Sequence, residues 1–347
     1  MRKAIIAILL ILVNPLNAQD LPPAATEGPA PISADTIPMI PLKELPSERI
    51  RLRQWIAEGR AIMALPYLNS YLQQYPNNAA LLLLKGEACF ALERYETAVE
   101  SFSQGVKIEP AKLGELFNYG RALQNLDRHD EALSVFQSMQ ARKEIPFQIR
   151  GLFGEGLTLQ AQQKTKEARL KFEEVLTIDL QFDRARYRLA QTLMTDEPSR
   201  ALELLDLVLR RDPLQHGAAY NRALVLRNLD RREEAQIAMA RYQQILAGRS
   251  RIALLKERWA LQPTEGPVLL ELGRIHRDLF VYGEALRWFA RAGAALPASA
   301  EPVLETVRTL LLAGRQLEAR QLVQRLGNSD VALQAQRLID DATTQEE

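Results

Sequence analysis

The sequence predicts an all-α solenoid built from antiparallel helix pairs, on three observations. One set of residue types recurs with a period near 34 from about residue 45 onward. The composition suits helix: 47% of residues are apolar, 25% charged and only 6% aromatic, with Leu, Ala, Arg, Gln and Glu abundant. Prolines such as Pro76, Pro110, Pro213 and Pro297 fall at unit ends, where they stop a helix and set the next turn.

The chain opens with Met1-Arg2-Lys3, an apolar run from Ala4 to Val13, and Asn14-Pro15-Leu16-Asn17-Ala18. A basic start, a short apolar stretch and a small residue at its end read as an export signal over residues 1–18, with cleavage after Ala18. An uncleaved signal anchor is the alternative, because Leu16 is not the small residue that cleavage favours two places before Ala18. The apolar run is short for a membrane span, and no cysteine follows it to carry a lipid. Removing Arg2 and Lys3 takes the formal charge from +1 to −1. The expected location is the periplasm or the extracellular space. Residues 19–45 hold Pro22, Pro23, Pro29, Pro31, Pro38 and Pro41, with Pro46 just beyond. This density forbids helix and predicts an extended, mobile linker.

The clearest repeat unit reads Leu82, Gly86, Tyr95, Ala98, Phe102, Pro110. Counted from Gly86, the last four lie at +9, +12, +16 and +24. Gly120, Ala132 and Phe136 follow at the same spacing, then Gly156, Ala168 and Phe172, and later Gly273, Tyr282, Ala285 and Phe289. The physical need is plain: the glycine sits where a second helix approaches, and the alanine is what approaches it. A bulky residue at either place would push the helices apart. Weaker units are marked by Ala64 and Leu68, by Ala190, Ala201 and Leu205, by Ala223, Ala235 and Met239, and by Val307, Ala319 and Val323. Eight pairs are predicted to begin near 45, 79, 113, 149, 183, 216, 266 and 300, with a capping helix over about 330–342. The solenoid is therefore divided into an N-terminal part at 46–249 and a C-terminal part with its cap at 266–343. Between them lies an irregular helical insertion at 250–265: either the preceding helix runs on through it or, as the favoured reading, a separate helix follows a break near Gly248.

These residues and spacings resemble the tetratricopeptide-repeat (TPR) family, over most of residues 45–328. The resemblance implies a right-handed superhelix whose first helices line a concave groove that holds an extended peptide. The residues three before the small position, and one and four after it, are expected on that groove. They include Phe117, Arg121 and Gln124, then Phe153 and Gln160, then Tyr187 and Gln191, then Tyr220 and Arg227. Aromatics flanked by Arg and Gln suit a peptide carrying apolar and polar side chains. Packing between helices is the competing role for the aromatics. Some relatives hold a C-terminal carboxylate with a Lys, Asn and Arg clamp. Leu83 and Glu87 depart from that pattern.

Little points to chemistry. The lone Cys89 permits no intrachain disulfide and no cysteine metal cluster. The three histidines, His129, His216 and His276, fall at non-equivalent places, and no His-Glu-x-x-His or Gly-x-Ser-x-Gly occurs. Gly151, Gly154 and Gly156 are not followed by the Lys-Ser/Thr of a phosphate loop, so no nucleotide is expected. Charges of both signs alternate along the chain, which argues against nucleic acid. No metal, cofactor or enzymatic activity is expected. The functional expectation is an exported scaffold that binds a protein or peptide partner in the cell envelope, with a membrane-associated complex among its settings. A structural part in polysaccharide or polymer export is the second expectation, and an enzyme with an unrecognised site is the third.

Overall fold

A computed structural model describes residue 37 and residues 39–344. The export signal and most of the proline-rich linker lie outside the described residues. Among those residues the chain forms seventeen helices and no strand, so the all-α expectation holds. The chain divides into two compact units, the first ending at Arg128 and the second starting at His129.

The first unit holds α1 (Leu45–Ala57), α2 (Ala61–Gln74), α3 (Ala79–Ala91), α4 (Tyr95–Ile108) and α5 (Leu113–Asn125). Three of these starts have a local cause. Pro46 stands in the first turn of α1, where its missing N–H costs nothing. The Asn78 side chain caps α3 by accepting from the Leu81 N–H at 3.1 Å. Glu115 reaches back at the head of α5 to accept from the Lys112 N–H at 2.7 Å. Inside the unit, a Cβ on Gly86 would lie 2.6 Å from the Phe102 ring, and Ala98 and Phe102 are fully buried. The linker's last residues depart from the mobile segment expected. Ile37 is buried. Ile40 donates its N–H to Gln74 Oε1 at 3.2 Å and accepts from the Tyr75 hydroxyl at 2.8 Å. Prolines disfavour helix there, but Ile40 still gains two hydrogen bonds at the end of α2.

The second unit holds α6 (His129–Gln140), α7 (Ile145–Ala161), α8 (Thr165–Ile178), α9 (Asp183–Leu193), α10 (Pro198–Arg211), α11 (His216–Asn228), α12 (Arg232–Leu261), α13 (Gly266–Asp278), α14 (Tyr282–Ala295), α15 (Glu301–Leu312), α16 (Gln316–Arg325) and α17 (Asp330–Thr344). The glycine cluster of α7 is a packing device. A Cβ on Gly151 would lie 2.6 Å from the Phe136 carbonyl oxygen, one on Gly154 would strike the Phe136 ring, and one on Gly156 would lie 2.6 Å from Phe172. At the far end, α17 buries Ala332, Ala335 and Ile339 against Val307, Leu310 and Ala319. That is the cap a stack of helix pairs requires.

Seven of the eight turns that follow a first helix share one form. The chain passes through the left-handed region at Gly59, Glu93, Asp127, Gln163, Asp230, Phe280 and Gly314. The next residue then donates back to the helix end, as Arg94 does to Cys89 at 2.8 Å and Val281 to His276 at 2.8 Å. The exception is the tighter α9–α10 turn, in the unit shortened by a residue, which ends on Pro198.

The break expected near Gly248 is absent. Helix α12 runs unbroken for 30 residues. Gly248 serves close approach instead: a Cβ there would lie 2.6 Å from Leu279 and 3.4 Å from Ile275. The first half of α12 pairs with α11. The second half carries α13 through Arg251–Glu271 at 2.7 Å and through the Arg258–Glu265 pair.

Candidate functional site on the first-helix faces

The expected groove residues do not share one environment. In the first unit, Phe117 is buried on α5, while Arg121 and Gln124 are half-buried on the same helix. The charged groups of this face bind one another. Arg53 of α1 meets Glu87 of α3 at 3.4 Å and Glu115 of α5 at 3.0 Å. Burial holds the Glu87 carboxyl above the usual range, against the pull of Arg53.

In the second unit, Phe153 is buried on α7. Its ring lies 5.9 Å from Phe172 and 5.2 Å from Phe182, the residue before α9. Phe153 therefore packs helix against helix, the competing role. Tyr187 and Tyr220 differ. Tyr187 of α9 is half-buried, and its hydroxyl accepts from Gln191 Nε2 at 3.1 Å and from Asn221 Nδ2 of α11 at 3.3 Å. Gln191 also accepts from Arg188 at 3.1 Å. With both amides donating, the phenol proton is left for an acceptor from outside. Burial raises the Tyr187 pKa, so the hydroxyl stays a donor. Tyr220 stands beside this cluster at 40% exposure, its ring 5.1 Å from Tyr242 of α12. Gln160 is half-buried on α7.

Arg227 belongs to another feature. With Ala223, Leu224, Arg232, Ala235, Gln236 and Met239 it lines an apolar cleft of about 360 Å³ between α11 and α12. Asn221, Tyr242 and this cleft were not read from the sequence. The surplus residues before α13 were the available signal.

The remaining residues of chemical interest are structural. Cys89 is buried, and burial raises its thiol pKa. His276 is buried with Nδ1 2.7 Å from the Leu272 carbonyl. Trp259 and Trp288 meet edge-on at 5.3 Å under Arg291. Trp55 packs on Tyr67 at 5.6 Å. Among the described residues, no group of three or more His, Cys, Asp or Glu is placed to hold a metal ion, and no helix is long and apolar enough to cross a membrane.

Repeated helix pairs with one shared turn define an all-α helical-repeat architecture. Residues 56–115 match the tetratricopeptide-repeat family model. No curated protein matches the chain. Among solved structures it is similar to PilF of Pseudomonas aeruginosa, at 17% identity and a TM-score of 0.51 over 59% of this chain and 97% of that one. It is also similar to PilW, described as a type IV pilus biogenesis factor, at 21% identity and a TM-score of 0.52 over 57% and 91%. At these identities the likeness is one of fold.

Proposed function

We propose that this protein is a non-catalytic scaffold of the cell envelope, exported by its N-terminal segment, and that it holds an extended peptide segment of a partner protein. The face formed by α9 and α11 is the contact surface. The observation that carries this reading is the Tyr187–Gln191–Asn221 cluster beside half-exposed Tyr220. A phenol and two amides on a rigid helix face suit the carbonyl and N–H groups of an extended backbone. Tyr220 offers apolar area for a side chain at low entropic cost. Phe153 sets the spacing of the helices, and Gln160 contributes a polar contact on α7, a first helix of the same unit. The basic start and apolar run of residues 1–18 support export, and partners in a membrane-associated complex follow from that location.

The test is crosslinked capture from the native envelope fraction, read by mass spectrometry. Wild type runs beside Tyr187→Ala/Tyr220→Ala and beside Phe280→Ala, with helicity matched by circular dichroism. Partners lost only from the double variant support the reading. Partners retained by it place recognition elsewhere. Recovery of cytoplasmic proteins alone would sink the envelope assignment.

A further inference from the structure

One cleft in the second unit lacks the cover that every comparable position has. The repeat alanine of each second helix is fully buried at Ala64, Ala98, Ala132, Ala168, Ala201, Ala285 and Ala319. Ala235 of α12 is only half-buried, and so is Met239 four residues on. In two other pairs the first helix of the next pair covers the residue four after the alanine. Tyr119 of α5 lies 5.9 Å from Phe102 of α4, and Gly151 and Gly154 of α7 sit on Phe136 of α6.

The long α12 explains the gap. It carries α13 on its second half, so α13 ends too early to reach Ala235. Arg241 marks the stopping point. It donates to the carbonyls of Asp278 at 3.1 Å and Leu279 at 2.5 Å, and its guanidinium stacks 4.2 Å from the Phe280 ring. From Arg232 to Arg241 about 14 Å of α12 is left without that cover, at 1.5 Å per residue. That length suits two to three turns of helix. The opening is lined by Ala223, Leu224, Ala235 and Met239, with Arg227 and Arg232 at its rim. Arg232 is paired with Asp230 at 2.9 Å, and both are strongly exposed. Arg227 is exposed and has no ion-pair partner among the described residues.

We propose that this cleft docks an amphipathic α-helix of a partner protein, small or apolar on its inner side and acidic where it meets Arg227. The occupant is a helix because helices fill the equivalent clefts in this chain. It is acidic because the free charge at the rim is a cation. This site lies further along α11 from Tyr220 and is inferred without recourse to the Tyr187–Tyr220 cluster.

A displayed library of helical peptides tests this against the full chain. The peptides are about sixteen residues long, with apolar residues fixed at i, i+3, i+4 and i+7 and the other positions randomised. Selected binders should carry Asp or Glu beside the apolar stripe. They should lose about tenfold or more in affinity on Met239→Arg or on Ala235→Leu, which fills the opening without adding charge. Arg227→Glu should weaken them about three- to tenfold, and Arg227→Lys should restore most of the loss. Tyr187→Ala should leave them unchanged. Melting curves confirm that each variant is folded, and Ala235→Leu should melt no lower than wild type. An empty selection, binders without acidic residues, binders indifferent to Met239→Arg, or binders lost on Tyr187→Ala would each overturn the proposal. Concentration-dependent dimers in sedimentation that vanish with Met239→Arg would overturn it in favour of a second copy of this chain.

Discussion

Replacing Gly156 with alanine isolates the packing that holds a helix pair together. The new Cβ would lie 2.6 Å from Cε1, 3.0 Å from Cδ1 and 3.1 Å from Cζ of Phe172. Phe172 is 0% exposed, so its ring has nowhere to swing. Overpacking of this kind costs about 1–3 kcal/mol. Alanine also gains about 1 kcal/mol over glycine in a helix. Gly293 of α14 provides the control, because its nearest neighbour would be Pro302 Cβ at 3.8 Å, an ordinary contact. Both substitutions gain helix propensity, so the difference between them reports packing at about 1–3 kcal/mol. Gly293 lies in the last turn of α14, which puts its gain at the low end and narrows the separation slightly. Thermal unfolding followed by circular dichroism reads the result. At roughly 2–4 °C per kcal/mol, Gly156→Ala should melt about 2–12 °C below Gly293→Ala. Equal melting temperatures, or a more stable Gly156→Ala, would refute the close-approach reasoning for the repeat glycines.

Three further outcomes follow from the same structure. Burial holds the His276 pKa below the ordinary imidazole value of about 6.5, with the Leu272 carbonyl acting in the opposite sense. The unfolded chain therefore takes up the proton first as pH falls. The stability from neutral His276 is complete above pH ~6.5 and is lost as the pH falls towards the folded value. Melting temperature between neutral and mildly acidic pH should drop further for wild type than for His276→Gln. Glu305 is buried and accepts from Arg274 at 3.2 Å, from Arg308 at 3.3 Å and from Arg277. Glu305→Gln should destabilise the second unit by about 1–3 kcal/mol in urea titration, discounted because Arg274 and Arg308 face water. Tyr75→Phe removes the hydroxyl that donates to Ile40 and should cost about 1 kcal/mol locally. Amide exchange at Ile40 should quicken while that of α4 stays unchanged.

The helix pairs were legible because their packing is written in residue types. A glycine and an alanine at fixed spacing permit close approach, and the first helices begin within a few residues of where that spacing puts them. Gly248 was misread for the same reason in reverse. A glycine inside a helix signals either a break or a close neighbour, and only Leu279, some thirty residues away in the chain, decides which. The aromatic column was legible as a register but not as a surface. Phe153 and Tyr187 hold equivalent positions, yet Phe182 covers the first while Gly217 leaves room beside the second. A Cβ on Gly217 would lie 2.5 Å from the Tyr187 hydroxyl. The docking of Ile40 on Tyr75 joins residues outside any repeat, so no periodicity could announce it.

Site-specific photocrosslinking in the native host tests the central claim, that the α9–α11 face holds a partner protein. A photoreactive phenylalanine replaces Tyr220 on that face or, as control, Leu170, which is 58% exposed on α8. Irradiation followed by mass spectrometry should give discrete protein adducts from position 220 and none of them from position 170. The same adducts from both positions, or adducts from 170 alone, would contradict the assignment of that face as the binding surface.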